Sequence, residues 1–347
     1  MEKRMKKSGD SPGRAPLWSR LLQPIGLLYL GIGRIRAALL SYREALDLGR
    51  PTVSVGNLTF GGTGKTPVTV ELARMLIGKG LRPAVILRGY RRETRGALLV
   101  KPSSSWREVG DEALVIAQNL PGVPVAVAEK REEAARLVVE EADVLLLDDG
   151  FQHMRVKRDL DLLLVDATRP GHLHAPPVGQ LRESLRSASR ADAVFVTRGS
   201  ASELPEALLP FVEGRPIIGV SFEWGEAVET GLAGPPWSEL AGKRAMAFAG
   251  VGNPSAFFSQ AAGKGLQIVA ERALKDHAEP DTSTLKALIA EGSAANADFF
   301  LTTEKDAVKW LPLWPGEFPL VYPKLRARFD DPDGVLHLLP ASLAGGN

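Results

Sequence analysis

Eight residues, Thr59–Thr66 (TFGGTGKT), constrain this chain more than any other segment. They follow an apolar run, Thr52–Asn57 (TVSVGN), that reads as a buried strand. They precede a stretch in which Pro67 suits a first helical turn, Val68, Leu72 and Leu76 share a face, and Gly80 marks a stop. Strand, glycine-rich turn and helix in that order describe a phosphate-binding loop, where backbone N–H groups and a helix N-terminus converge on anionic oxygens. Thr59, Phe60, Gly61, Gly62, Thr63 and Gly64 would form the cradle. Lys65 would reach the β- and γ-phosphates, and the Thr66 hydroxyl would ligate Mg²⁺. One position departs from the general G-x-x-x-x-G-K-[ST] pattern: its first Gly is Thr59 here.

Such a loop belongs in a parallel sheet, and the flanking sequence agrees. Apolar runs recur at Ala84–Leu87, Val123–Ala128, Val144–Leu147, Leu160–Val165 and Ala193–Thr197, with helical patterns between several of them, notably Arg131–Glu141. A second series begins after Gly214-Arg215-Pro216. Strands are expected at Ile217–Phe222, Ala245–Val251, Gln267–Ala270 and Phe299–Thr302, and helices at Pro254–Lys264 and Thr282–Ala290. Phe318–Phe329 has strand character and is expected to return toward the junction. The fold class is α/β: a P-loop NTPase-type, largely parallel sheet with helices on both faces, plus a second, smaller α/β domain. We divide the chain into a basic tail (1–16), an amphipathic helical segment (17–48), a nucleotide-binding domain (49–215) and a second domain (216–347) that closes over the site.

A magnesium-binding carboxylate should end an apolar strand beside the loop. DVLLLDDG supplies Asp148 and Asp149 at the carboxyl end of Val144–Leu147, the end where open α/β sheets bind ligands. Without the phosphate-binding loop, either Asp would read as a turn residue before Gly150.

Charge is uneven along the 347 residues. The net charge of +2 comes from 43 basic and 41 acidic side chains, which argues against a protein built to neutralise nucleic acid. Residues 1–50, however, hold ten basic against four acidic groups. Within them Leu17–Leu40 is apolar but interrupted by Arg20, Arg34 and Arg36, too short an uncharged run to span a bilayer. The segment can lie on an anionic membrane surface, with Trp18 and Tyr29 as interfacial anchors, or pack on the protein's own core. The absence of Cys excludes disulfides, thiolate metal sites and Cys nucleophiles.

Motifs beyond the loop narrow the chemistry. GNLTFGGTGKTP (Gly56–Pro67), RGY (Arg88–Tyr90), VGDE (Val109–Glu112), LLLDDGFQH (Leu145–His153), PVGQLRE (Pro177–Glu183), FAGVGNP (Phe248–Pro254), Asp276-His277 and TTEKDAVK (Thr302–Lys309) occur in order. Together they resemble the tetraacyldisaccharide 4′-kinase family, the membrane-associated lipid A 4′-kinases, from about Leu17 to Trp310. That family also lacks the first Walker glycine.

The resemblance implies transfer of the γ-phosphoryl group of ATP, with Mg²⁺, to the 4′-hydroxyl of an acylated glucosamine disaccharide 1-phosphate. It implies a peripheral protein on the cytoplasmic face of the inner membrane, without nucleic acid or an obligate protein partner. Asp111 matches the family's proposed catalytic base and His277 the His thought to assist it, and a His beside a carboxylate can orient it and adjust its proton affinity. Arg182 and Glu183 fall where the family places polar groups near substrate. Arg88, Glu112, Gln152 and His153 complete the candidate network.

Taken alone, Asp111 would be a helix N-cap before Glu112–Gln118, and His277 a surface residue. Three positions depart from the family pattern: Ala113, Gln180 and Ala278 stand where relatives carry Pro, Pro and His. A membrane-recruited ATPase or GTPase switch is the competing function. TEKD (Thr303–Asp306) fails the order of a guanine-recognition loop, because Lys305 and Asp306 are adjacent.

Overall fold

The structure, a computed structural model, describes residues 26, 28, 29, 31, 45–276 and 278–344. The expected tail over residues 1–16, most of the segment over 17–48, and His277 lie outside the described residues.

Strand β1 (Thr52–Asn57) is buried along its whole length, as its apolar run requires. It pairs in parallel with β5 (Val144–Asp148) on one side and β6 (Leu160–Asp166) on the other. Beyond β5 the sheet continues through β2 (Pro83–Leu87) and β4 (Val125–Val127) to β3 (Leu98–Leu99). Beyond β6 it runs through β7 (Ala193–Thr197) to β8 (Ile217–Glu229), against which the short β9 (Leu232–Ala233) pairs antiparallel. Helix α1 (Lys65–Gly78) crosses from β1 and buries Val68, Leu72 and Leu76 against one face. Helix α2 is Asp111–Asn119. The single helix expected over Arg131–Glu141 is shorter: α3 covers Arg131–Ala135, and only a 3-10 turn, Val139–Glu141, follows. The buried positions Arg131, Ala134, Ala135 and Val138 still keep the i, i+3, i+4, i+7 spacing that made the stretch read as one helix.

The second series forms a parallel set in the order β11 (Gln267–Ala273), β10 (Arg244–Ala249), β12 (Phe299–Leu301), β13 (Leu320–Phe329). It is covered by α4 (Pro254–Gly263), α5 (Thr282–Ala294) and α6 (Glu304–Trp310). β13 joins the two sets by pairing antiparallel with β8, so one sheet runs through both halves. β8 is longer than expected because it keeps pairing through Glu223-Trp224-Gly225-Glu226, where two charged residues break the apolar run. Both charges are used across the strand pair, Glu223 meeting Arg328 at 3.0 Å and Glu226 meeting Arg326 at 2.9 Å. Among the described residues no helix is long and apolar enough to cross a membrane.

Candidate active site

Parallel strands leave their carboxyl ends on one side of a sheet, and here the ends from both halves open into one cleft of about 1580 Å³. That exceeds the roughly 300–1,000 Å³ of a site for one small molecule, leaving room for two reactants side by side.

The loop after β1 is braced from outside. Phe60 N donates to Gln180 O and Arg182 N to Leu58 O, each at 2.7 Å, so Thr59 lies bridged antiparallel to Leu181. Extended pairing needs no positive φ, which explains why Thr can replace the first Walker Gly. Gly64, by contrast, has φ +86°, and a Cβ there would run into the Phe222 ring. At Gly62 nothing lies within 4 Å of where a side chain would begin, so the loop's front is open to the cleft.

The same bracing delivers Arg182. Its Nη1 donates to both Asp149 oxygens at 2.9 and 2.8 Å and to Gln152 Oε1 at 3.3 Å, while its guanidinium sits 5.2 Å over the Phe60 ring. Lys65 Nζ lies 3.4 Å from Asp149 Oδ1 and 3.4 Å from Asn57 Oδ1. Thr69 Oγ1 donates to Asp148 Oδ1 at 3.1 Å. The adjacent carboxyls are therefore driven apart. Burial, then the negative charge of Glu112, pushes Asp148 well above the usual carboxylate range. Burial also pushes Asp149 upward, but Lys65, Arg182 and Arg131 more than offset it and the net shift is downward. Asp149 is thus ionised, and Asp148 holds its proton more tightly.

The opposite wall comes largely from the second half. A Cβ on Gly252 would lie 3.2 Å from Gly62 N, so the loop after β10 approaches the phosphate-binding loop closely, and Arg169 Nη2 holds Gly252 O at 2.7 Å. Lys305 meets Glu112 Oε1 at 3.0 Å, and Asn119 Nδ2 donates to Glu304 Oε1 at 2.7 Å, tying α6 to α2. Burial lowers the Lys305 ammonium's proton affinity, but Glu112 and then Asp111 raise it further, for a net upward shift. Asp111 opens α2 rather than capping it. Gly110 takes the cap at φ +92°, and Asp111 Oδ1 accepts from Glu112 N at 2.8 Å.

Of the expected site residues, Phe60–Thr66, Arg88, Glu112, Asp148, Asp149, Gln152, His153, Arg182 and Glu183 line the cleft. Thr59 is buried behind the loop. Asp111 is buried too, with Gly110 and Glu112 beside it in the wall. His277 lies outside the described residues, although Asp276 is in the wall. Glu183 is engaged by Arg190 at 2.8 Å. Burial and the Arg131 charge bring His153 down to about 4, so its imidazole is neutral at physiological pH.

The sequence reading missed Arg131. It is buried beside both aspartates, with its proton affinity lowered to about 10 by burial, and its Nε has no hydrogen-bond partner among the described residues. At the start of an amphipathic helix it reads as a solvated charge; only the strand order brings it to Asp148. In sequence Lys305 carries no role of its own within TTEKDAVK or the failed guanine motif, and Gly252 none within FAGVGNP.

The donor set fits Mg²⁺ with a nucleotide. Thr66, Asp148 and Asp149 offer hard oxygens, and among the described residues no three acidic or imidazole side chains converge into a cage. Mg²⁺ suits that arrangement, since it takes one or two carboxylates and fills its octahedron with phosphate oxygens and water. The open loop front, Lys65 and the orphaned Arg131 Nε suit a polyanion.

A family model described as tetraacyldisaccharide-1-P 4′-kinase matches residues 18–344. Tetraacyldisaccharide 4′-kinase of Pelobacter propionicus is 40% identical over 304 residues, covering 84% of this chain and 83% of that protein. The enzyme of the same name from Geobacter sulfurreducens is 38% identical over 321 residues, covering 87% of each. The crystal structure of the "apo" form of LpxK from Aquifex aeolicus in complex with ATP superimposes with a TM-score of 0.74. It is 28% identical and is covered over 98% of its length by 93% of this chain.

Proposed function

This chain belongs to the tetraacyldisaccharide-1-P 4′-kinase family, and from that premise we propose how its residues divide the work. It is an ATP-dependent kinase that transfers the γ-phosphoryl group of ATP to the 4′-hydroxyl of a tetraacylated glucosamine disaccharide 1-phosphate, a step in lipid A biosynthesis. The observation that carries the division of roles is the Lys65–Asp149–Arg182 cluster on an open phosphate-binding loop, faced by Glu112 and Lys305.

In this reading the backbone of Gly61–Gly64 cradles the phosphates, and Lys65 and Arg131 neutralise charge that grows in the transition state. Magnesium supplies further charge neutralisation and in-line orientation when bound. Thr66, Asp148 and Asp149 would hold it, with Arg182 fixing the Asp149 carboxylate. Asp111 accepts the proton of the 4′-hydroxyl as its oxygen forms a bond to the γ-phosphorus and the bond to ADP breaks. His277 assists Asp111, by family correspondence. Arg88, Gln152, neutral His153 and Glu183 shape the surrounding network. Residues 49–215 and 216–347 act as two α/β halves that close on each other and exclude water. The Gly252 approach and the Lys305–Glu112 pair support that closure.

Residues 17–48 hold the kinase on the cytoplasmic face of the inner membrane as a peripheral protein. Tyr29 in the cleft wall supports this placement, because it puts the segment beside the site a lipid must enter. Removal of residues 1–40 should weaken binding to anionic vesicles severalfold, and salt should weaken it in the intact chain. Equal vesicle binding with and without the segment would refute the anchor.

The kinase roles are tested with γ-labelled Mg·ATP and an acylated β-1,6-glucosamine disaccharide 1-phosphate. Label should appear on the lipid. Label released only as free phosphate, with or without acceptor, would support the switch reading instead.

A further inference from the structure

Helix α6 carries a buried ion pair that the reaction does not use directly. Lys309 Nζ lies 3.0 Å from Asp306 Oδ1, and the two side chains are 2% and 0% exposed. Burying two charges costs several kcal/mol per ion in desolvation, and apolar replacements of equal volume are often no less stable. Stability is therefore a weak account of the pair.

The remaining bonds give a better one. Asp306 Oδ2 accepts from Gly250 N and from Thr303 Oγ1, each at 2.8 Å. Lys309 Nζ donates to Ala278 O at 3.1 Å. Gly250 opens the loop whose Gly252 meets Gly62, and Ala278 ends the turn that contains Asp276 in the cleft wall. The two segments also touch each other: a Cβ on Gly250 would lie 3.0 Å from Lys275 O and 3.0 Å from Asp306 Oδ1. A single point, locked within one helical turn, thus fixes both pieces of the second half that face the phosphate-binding loop.

We propose that Asp306 and Lys309 are positioning residues, whose pairing sets the Asp276-containing turn and the Gly250–Asn253 loop at their working distance from the phosphate-binding loop and Asp111. Neither touches a reactant. They act through the backbone they hold, and displacement of such a wall by about 1 Å is enough to cost a hundredfold in rate. Each attachment is a single hydrogen bond, and of the two only that to Ala278 O needs the Lys309 ammonium as its donor.

The test is the double variant Asp306→Asn/Lys309→Met in the full chain, which removes both charges and nearly keeps volume. The melting temperature should stay near that of the wild type. The kcat should fall about tenfold to a hundredfold while KM for ATP changes less than about threefold. Amide exchange in residues 276–279 should quicken. Lys309→Arg, which keeps a cation opposite Asp306, should regain most of the lost kcat. Unchanged kcat in the double variant would overturn the proposal, as would a fall in kcat and melting temperature together with unchanged exchange at the turn. The proposal rests on the kinase reading, but exchange at the turn needs no turnover. Faster exchange alongside absent transfer in the wild type would fault the kinase reading alone.

Discussion

In the first half of the chain Arg158 and Asp161 pair at 3.2 Å behind the loop that follows β5; in the second, Lys309 and Asp306 pair at 3.0 Å inside α6. Both pairs are three residues apart, and both hold backbone that faces the cleft. Arg158 Nη1 points at the carbonyls of Gly150, Phe151 and His153, each at 3.4 Å, all within eight residues of itself. Lys309 and Asp306 instead reach Ala278 and Gly250, 31 and 56 residues away. A planar guanidinium spreads over several carbonyls of one local loop, whereas a point charge fixes one carbonyl of a distant segment. Of these two pairs, the first thus steadies backbone near it in sequence, and the second ties distant segments to the site.

If the chemistry resides in the first half, its loss should be the most severe. Lys65→Ala and Asp111→Asn should each lower kcat by about 10² to 10⁴, with little change in melting temperature. Steady-state transfer to the lipid acceptor reads this. Transfer within tenfold of the wild type in either variant would remove that residue from its assigned role.

A smaller effect is expected where the halves meet. Lys305 lies at Glu112, with Asp111 and Asp276 also close enough to raise its proton affinity. Lys305→Met should lower kcat about tenfold, since it removes the cation that Glu112, Asp111 and Asp276 share at the cleft. Losing the cation should also raise the proton affinity of Asp111, so the acidic limb of the kcat profile should move to higher pH. A tenfold loss without that displacement would mean Lys305 serves closure alone.

The same contrast explains what could be read in advance. The phosphate-binding loop was legible because strand, glycines, Lys65, Thr66 and helix are consecutive, and Asp148-Asp149 because a carboxyl pair ending an apolar run is a local signal. Arg131 was not legible: a charge at a helix start signals solvent unless the strand order is known. The Lys305–Glu112 and Asn119–Glu304 contacts span 193 and 185 residues, and no local pattern encodes them. The extension of β8 was missed for a related reason, since Glu223 and Glu226 read as a strand's end until Arg328 and Arg326 are placed opposite.

The mildest prediction concerns the local pair. Burial pushes the Asp161 carboxyl up to about 6, with Arg158 opposing the shift but not cancelling it. An unfolded Asp titrates near 4, so between about pH 4 and 6 the folded chain holds a proton that the unfolded chain has released. Stability contributed by this group is therefore fully present below that window and falls as pH rises through it, by an amount on the order of 1–3 kcal/mol. Asp161→Asn cannot titrate. The variant will be less stable at every pH if Arg158 is left without its counter-charge, so the slope, rather than the level, is the measurement. Melting temperatures between pH 4 and 7 should show the gap between variant and wild type narrowing as pH rises. Parallel profiles would mean that Arg158 satisfies Asp161 fully. The local pair would then be as tightly closed as the distant one, and the two pairs would differ in their reach along the chain alone.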